Sequence, residues 1–260
     1  MGLFHRDKQH ERPEAPAATA PAGGPAPSGP GVSLAKVTAS APGLVNLYKS
    51  AAVSLDKYGL GGHRAAVYLV LDHSGSMHRY YQDGSVQRLA EQVLALAAHL
   101  DDDGVVPTVF FGWKAHKAVE IGLDDYQGRI EREHLACGDF GTTNYAAAIE
   151  AVTKHYHKSK SKAPAFVVFQ TDGEPDSRPA AERAIRSAAK LPIFWQFVGF
   201  GNHFEFLKQL DTMEGRAVDN AGFFPVGGNP AGMADQTLLN KLMHEYPRWL
   251  EAARAQGIVR

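Results

Sequence analysis

The chain is short of cysteine, of net charge and of long apolar runs, and each shortage removes a class of protein. Cys137 is the only cysteine among 260 residues, so no intrachain disulfide can form and no thiol cluster exists for metal or redox chemistry. The formal net charge is −1, with acids and bases interspersed, which leaves no electrostatic footprint for nucleic acid or an anionic membrane. No stretch is long and apolar enough for a membrane span, and the N-terminus lacks the continuous apolar core of a signal peptide. Arg6 stands where a myristoylation signal needs Ser or Thr. A reducing, cytoplasmic location is the expectation. No internal repeat is visible.

What the chain does have is a 44% hydrophobic content, enough for one large α/β domain plus a tail. Residues 11–31 are dominated by Pro, Ala and Gly, which cannot bury enough apolar surface to offset the entropy of ordering. Residues 1–33 are therefore expected to be a disordered tail, and 34–260 a single domain with an N-terminal accessory helix in 34–62 and a core in 63–260. The charged opening to Arg12, with Leu3 and Phe4, reads as a solvated terminus in preference to a docking peptide.

The densest signal is Val67-Tyr68-Leu69-Val70-Leu71, followed by Asp72-His73-Ser74-Gly75-Ser76-Met77. The apolar run suits a strand buried on both faces of a parallel sheet, and such sheets place ligands beyond their strands' C-terminal ends. Asp72, Ser74 and Ser76 offer three oxygens from one turn, a donor set for Mg²⁺, Ca²⁺ or Mn²⁺ and not for zinc. Gly75 is expected to let the backbone turn tightly between the hydroxyls. Two later segments can complete the site: Gly141-Thr142-Thr143-Asn144, and Phe166-Val167-Val168-Phe169-Gln170-Thr171-Asp172-Gly173-Glu174. Asp, Ser and Gly are ordinary turn formers, so the first segment alone means little; the three in this order carry the reading.

Together these segments resemble the metal-ion-dependent adhesion site of von Willebrand factor A (vWA) domains, whose pattern is Asp-x-Ser-x-Ser, then a Thr, then an Asp after a hydrophobic strand. The resemblance implies that Ser74, Ser76 and Thr143 bind the metal directly, with Asp72 and Asp172 holding it directly or through water. Thr142 competes with Thr143, because the family often reads Gly-Gly-Thr where this chain reads Gly-Thr-Thr. Mg²⁺ is the expected ion, with Mn²⁺ or Ca²⁺ as alternatives. Hydroxyl ligands neutralise the ion only in part, so it stays attractive to an outside anion such as a partner's Asp or Glu side chain. Thr142, Asn144, Asp139 and Glu174, with Asp176, are expected at the rim.

The rest of the sequence alternates strands and helices. Helical spacing covers 44–55, and Ser85 is expected to cap a helix carrying Leu89, Val93, Leu96 and Leu100. Strands at 105–111 and 117–122, joined near Gly112, predict an antiparallel pair at a sheet edge. Further helices are expected at 145–156, 180–190, 204–212 and 235–246, with strands at 166–171, 193–200 and 218–224. Pro247 is expected to mark a break before a helix at 249–255. The fold class is α/β: a doubly wound, mostly parallel central sheet with one antiparallel edge strand and helices on both faces, the Rossmann-like arrangement that the vWA resemblance also implies.

His73 and His78 flank the first segment and are expected to be exposed. His155 and His157 fall on different sides of a helix, and the neighbouring lysines form a solvated helix end. Phe194, Trp195, Phe197 and Phe200 are expected in the core.

Within the vWA family the chain is most similar to the bacterial tellurium-resistance (TerF-like) branch and more distantly to copine A domains, over roughly residues 34–255. The segments that carry this are Leu47-Tyr48-Lys49-Ser50, Val109-Phe110-Phe111-Gly112 and Trp195-Gln196-Phe197-Val198-Gly199-Phe200-Gly201. The resemblance implies a noncatalytic interaction module of a cytoplasmic stress-response assembly, with a protein partner presenting Asp or Glu, such as another tellurium-resistance-type protein. A metal-dependent phosphoester hydrolase is the rival, disfavoured because Asp72-His73-Ser74 lacks the Asp-x-Asp of aspartate-nucleophile phosphatases and no Gly-x-Ser-x-Gly elbow exists. A metal-independent scaffold tethered by its N-terminal tail is the third reading.

Overall fold

The protein, seen as a computed structural model, is described for residues 29–210 and 212–260. Most of the expected tail, 1–28, lies outside the described residues. Residues 29–33, expected to belong to that tail, instead pack onto the domain: Val32 is buried, its amide donates to the Ala98 carbonyl at 2.7 Å, and its carbonyl accepts from the Tyr48 hydroxyl at 2.7 Å.

Six strands form one sheet: β1 (Ala66–Asp72), β2 (Val105–Phe111), β3 (Val119–Gly122), β4 (Ala165–Thr171), β5 (Ile193–Phe200) and β6 (Ala221–Gly227), in the order β3-β2-β1-β4-β5-β6. All neighbours run parallel except β2 and β3, the antiparallel edge pair. β1 pairs with β2 on one side and β4 on the other, so the chain's direction of winding reverses between β1 and β4. That reversal opens a crevice at the strands' C-terminal ends, the place where ligands sit in doubly wound sheets.

Ten helices accompany the sheet among the described residues: α1 (Leu34–Ser40), α2 (Val45–Lys57), α3 (His78–Gln82), α4 (Ser85–Leu100), α5 (Arg129–Ala136), α6 (Tyr145–Ser159), α7 (Arg178–Ala188), α8 (Glu205–Leu210), α9 (Asp235–Met243) and α10 (Tyr246–Ala255). β1 alternates between the two cores. Val67, Leu69 and Leu71 join Leu47, Val93, Leu239 and Trp249 on one face, while Tyr68 and Val70 join Tyr145, Val152 and Ile185 on the other. Period-2 alternation within an apolar run thus feeds two helical layers at once. The aromatic strand β5 is buried along its whole length, as expected for Phe194, Trp195, Phe197 and Phe200.

Several boundaries differ from the sequence expectations. The accessory region is two helices, α1 and α2, because Pro42 starts a separate short turn between them. The cap of α4 is not Ser85: Gly84 occupies the capping position with φ 79°, and Asp83 Oδ1 accepts from the Ser85 amide at 2.9 Å. Pro247 does not break a helix but lies in the first turn of α10, where a missing N–H costs nothing. The last strand is Ala221–Gly227, three residues later than expected at its start, and the edge strand β3 is shorter than expected. α5 has no counterpart among the expectations.

Candidate functional site

The site forms where β1 and β4 end side by side at the winding reversal. Asp72, the last residue of β1, is fully buried. Its Oδ1 accepts from the Ser74 amide at 2.8 Å, closing an Asx turn that reverses the chain directly after the strand. Its Oδ2 accepts from Thr171 Oγ1 at 2.6 Å, and Thr171 is the last residue of β4. The Tyr81 hydroxyl, carried by α3, donates to the Asp72 carbonyl at 2.9 Å.

The hydroxyls follow from that turn. Ser74 and Ser76 approach to 3.2 Å between their Oγ atoms, and Ser76 Oγ donates to Asp172 Oδ1 at 2.7 Å. A continuous chain of contacts therefore runs Asp72, Ser74, Ser76, Asp172 and joins two loops that are remote in sequence. Gly75 is not needed for left-handed backbone, and a Cβ on it would meet nothing within 4 Å, so the expected steric role is absent. Its amide instead donates to the Gly141 carbonyl at 3.3 Å.

The threonine segment is fastened to both neighbours. Gly141 pairs with Ser74 as an isolated parallel bridge and its amide donates to the His73 carbonyl at 2.9 Å. A Cβ on Gly141 would lie 2.7 Å from the Trp113 backbone nitrogen and 3.0 Å from Gly112 Cα, so only glycine admits this approach. Thr142 Oγ1 donates to Asp176 Oδ2 at 2.6 Å, the Thr143 amide donates to Asp176 Oδ1 at 3.0 Å, and the Asp176 amide returns a bond to the Thr143 carbonyl at 2.9 Å. The Thr142 hydroxyl is thus engaged with Asp176, whereas only the backbone of Thr143 is.

The rim residues divide. Asn144 caps α6, its Oδ1 accepting from the Ala147 amide at 3.1 Å while its Nδ2 donates to the Trp113 carbonyl at 3.2 Å. Glu174 turns to the start of α8, accepting from the Phe206 amide at 3.1 Å and pairing with Arg178 at 3.0 Å. Asp139 is exposed on the loop before Gly141.

The electrostatics are dominated by burial. The Asp72 carboxyl is pushed up to about 7 by desolvation, opposed by its bonds from Thr171 and Ser74 and reinforced by the Asp172 charge. Asp172 is also raised, again chiefly by burial, with the Ser76 hydroxyl and Arg79 acting the other way. Among the described residues no ion pair reaches Asp72. A buried carboxylate without a cationic partner is costly, and a hard cation among these oxygens would relieve it. The donors present, two carboxylates and several hydroxyls, fit such an ion. Among the described residues no group of three His, Cys, Asp or Glu side chains gathers to hold a metal.

His73 corrects an expectation: it is buried, not exposed. Its ring stacks on Phe140 at 4.6 Å and lies 4.9 Å from His134 on α5. Burial, with His134 and His116 nearby, holds its imidazole down at about 4, so it is a neutral packing element. His78 is exposed as expected. Sequence reasoning missed Thr171 and Tyr81 as supports of Asp72. Thr171 had a signal, being the hydroxyl residue that ends the strand just before Asp172, whereas Tyr81 had none.

A doubly wound six-stranded sheet with an Asp-x-Ser-x-Ser turn at its winding reversal defines the von Willebrand A architecture. The comparisons agree. The family vWA-TerF-like, described as "vWA found in TerF C terminus", matches residues 64–259, and the chain belongs to this family. YcbR of Bacillus subtilis (strain 168), an uncharacterized protein, is 35% identical over 217 residues, covering 82% of this chain and 88% of its own. Among solved structures, proximal thread matrix protein 1 from the mussel byssus shares the fold at a TM-score of 0.51 and 14% identity, over 70% of this chain and 47% of that one. The manganese-loaded Plasmodium vivax TRAP protein aligns at a TM-score of 0.47 and 20% identity, over 65% of this chain and 70% of that one. No described helix is long and apolar enough to cross a membrane.

Proposed function

We propose that this chain is a noncatalytic, divalent-metal-dependent protein-interaction module. Asp72, Ser74, Ser76, Thr143 and Asp172 would hold Mg²⁺, with Mn²⁺ or Ca²⁺ as substitutes, and the ion would capture an Asp or Glu side chain of a protein partner. The observation that carries this is the Asp72 carboxylate: fully buried, hydrogen-bonded by the Ser74 amide and the Thr171 hydroxyl, reached by no ion pair among the described residues, and lifted to about 7. Two carboxylates and three hydroxyls leave a divalent ion's charge incompletely shielded from an outside anion, which is what capture requires. Two tethers keep the ligand segments in place: the bridge from Gly141 to Ser74, and Asp176 across Thr142 and Thr143. Membership of the TerF-like family supports a role in a cytoplasmic bacterial tellurium-resistance or stress-response system, the partner being another protein of that system.

The test has two readouts. Saturating Mg²⁺ or Mn²⁺ at 100 times its dissociation constant is expected to add about 2.7 kcal/mol of stability to the wild type. Asp72→Ala is expected to lose that increment while remaining folded, and to lose chelator-sensitive capture of immobilised acidic peptide. Capture that survives both chelation and Asp72→Ala would favour the scaffold reading.

A further inference from the structure

Away from the metal face, α6 and α7 leave a groove of about 630 Å³ between them. Each helix contributes one continuous stripe. α6 presents residues three and four apart from Ala146 to Lys158, and the other wall runs from Ala180 along α7 to Leu191. The α6 wall is about 18 Å long at a helical rise of about 1.5 Å per residue, so the groove is an elongated trough between two helices. Its apolar lining combines the small Ala146, Ala184 and Ala188 with the larger Ile149 and Leu191. Small residues on both walls let a third backbone come close.

The charge along the trough is one-sided. Lys154, Lys158 and Arg183 line it and are exposed, against a single carboxylate, Glu150. Among the described residues none of these three cations is in an ion pair. Arg186, by contrast, lies outside the groove and is paired with Glu182 at 3.7 Å.

We infer that the α6–α7 groove is a second docking surface, independent of the metal, for an amphipathic helix of a protein partner whose apolar stripe meets the apolar lining and whose flanks carry carboxylates. The trough's length suits about three turns of helix, and the apolar-lined, basic-rimmed arrangement matches helix-in-groove recognition. The complementary charge sets orientation and partner choice more than raw affinity.

The test uses the full chain and two labelled peptides of about 14 residues with the same leucine stripe, one flanked by Glu and the other by Lys. Anisotropy at low salt, in EDTA, is expected to show the Glu-flanked peptide binding at least tenfold tighter, with backbone amide shifts confined to α6 and α7. Lys154→Glu, Lys158→Glu and Arg183→Glu combined is expected to reverse the preference in a chain that still melts cooperatively, with a lowered midpoint because negative charge at the C-terminal end of α6 opposes the helix dipole. A Lys-flanked peptide that binds equally well, shifts mapping outside α6 and α7, or a Glu-flanked peptide that does not bind would each overturn the inference.

Discussion

Thr171 Oγ1 donates to Asp72 Oδ2 at 2.6 Å, so the final residue of β4 supports the final residue of β1 across the winding reversal. This bond satisfies a buried carboxylate oxygen, and it ties the two central strands together at the point where the proposed ligand segments diverge. Thr171→Val keeps the shape and removes the donor. Leaving that oxygen unsatisfied costs about 1–3 kcal/mol, which chemical denaturation of the metal-free chain will show as a lowered midpoint at unchanged slope.

Gly141 is expected to tolerate no side chain. In Gly141→Ala the new Cβ would meet the Trp113 backbone nitrogen at 2.7 Å, and backbone cannot move aside as a flexible side chain can. Overpacking of this kind costs about 1–3 kcal/mol. Because the same glycine pairs with Ser74, the substitution should weaken Mn²⁺ binding as well as lower the melting temperature. A variant with wild-type ion affinity would separate the segment from the metal.

The ion's stabilising effect should depend on pH. Burial raises the Asp72 carboxyl from 3.8 to about 7, so between these values the folded chain retains a proton that the unfolded chain has released. The stability held by protonated Asp72 is present at acid pH and is lost as pH rises through about 7. A cation needs the carboxylate and displaces that proton, so its stabilising increment grows with pH. Melting with and without Mn²⁺ at about pH 5 and about pH 7.5 should give the larger increment at the higher pH. His63, held down at about 4 by burial, works in the opposite direction, its contribution fading as pH falls below its ordinary 6.5. It does so equally with and without the ion, and therefore cancels in the difference.

Glu174 provides an internal control. Its carboxylate holds the Phe206 amide and pairs with Arg178 at the start of α8. Glu174→Gln is expected to speed hydrogen exchange at Phe206 while leaving Mn²⁺ affinity within twofold of wild type. A large loss of affinity would assign this carboxylate to the ion instead.

Much of this architecture was legible because local signals agreed with the global fold. The run Val67–Leu71 and the strand at 193–200 are apolar on both faces, and residues buried on both faces of a parallel sheet leave that mark. The turn after Asp72 and the pairing across Gly112 were visible as short-range chemistry. What escaped was long-range. Nothing in the neighbourhood of His73 shows that Phe140 and His134 will fold over it, whereas the α4 cap, with Asp83 two residues from the amide it holds, is local and was misassigned to Ser85. α5 carries few apolar residues, and its fixed points, Ile130 and His134, are set by tertiary contacts. The proposed oxygen ligand set rests on residue types read together with the vWA resemblance; the supports of Asp72, Thr171 and Tyr81, depend on which elements lie beside β1.

The most direct measurement is a Mn²⁺ titration of the full chain followed by electron paramagnetic resonance, which reads free ion against bound. The account predicts one saturable ion per wild-type chain, none in Asp72→Ala, and displacement by excess Mg²⁺. A wild-type chain that leaves the free Mn²⁺ signal unchanged, or an Asp72→Ala variant that binds as the wild type does, would contradict it.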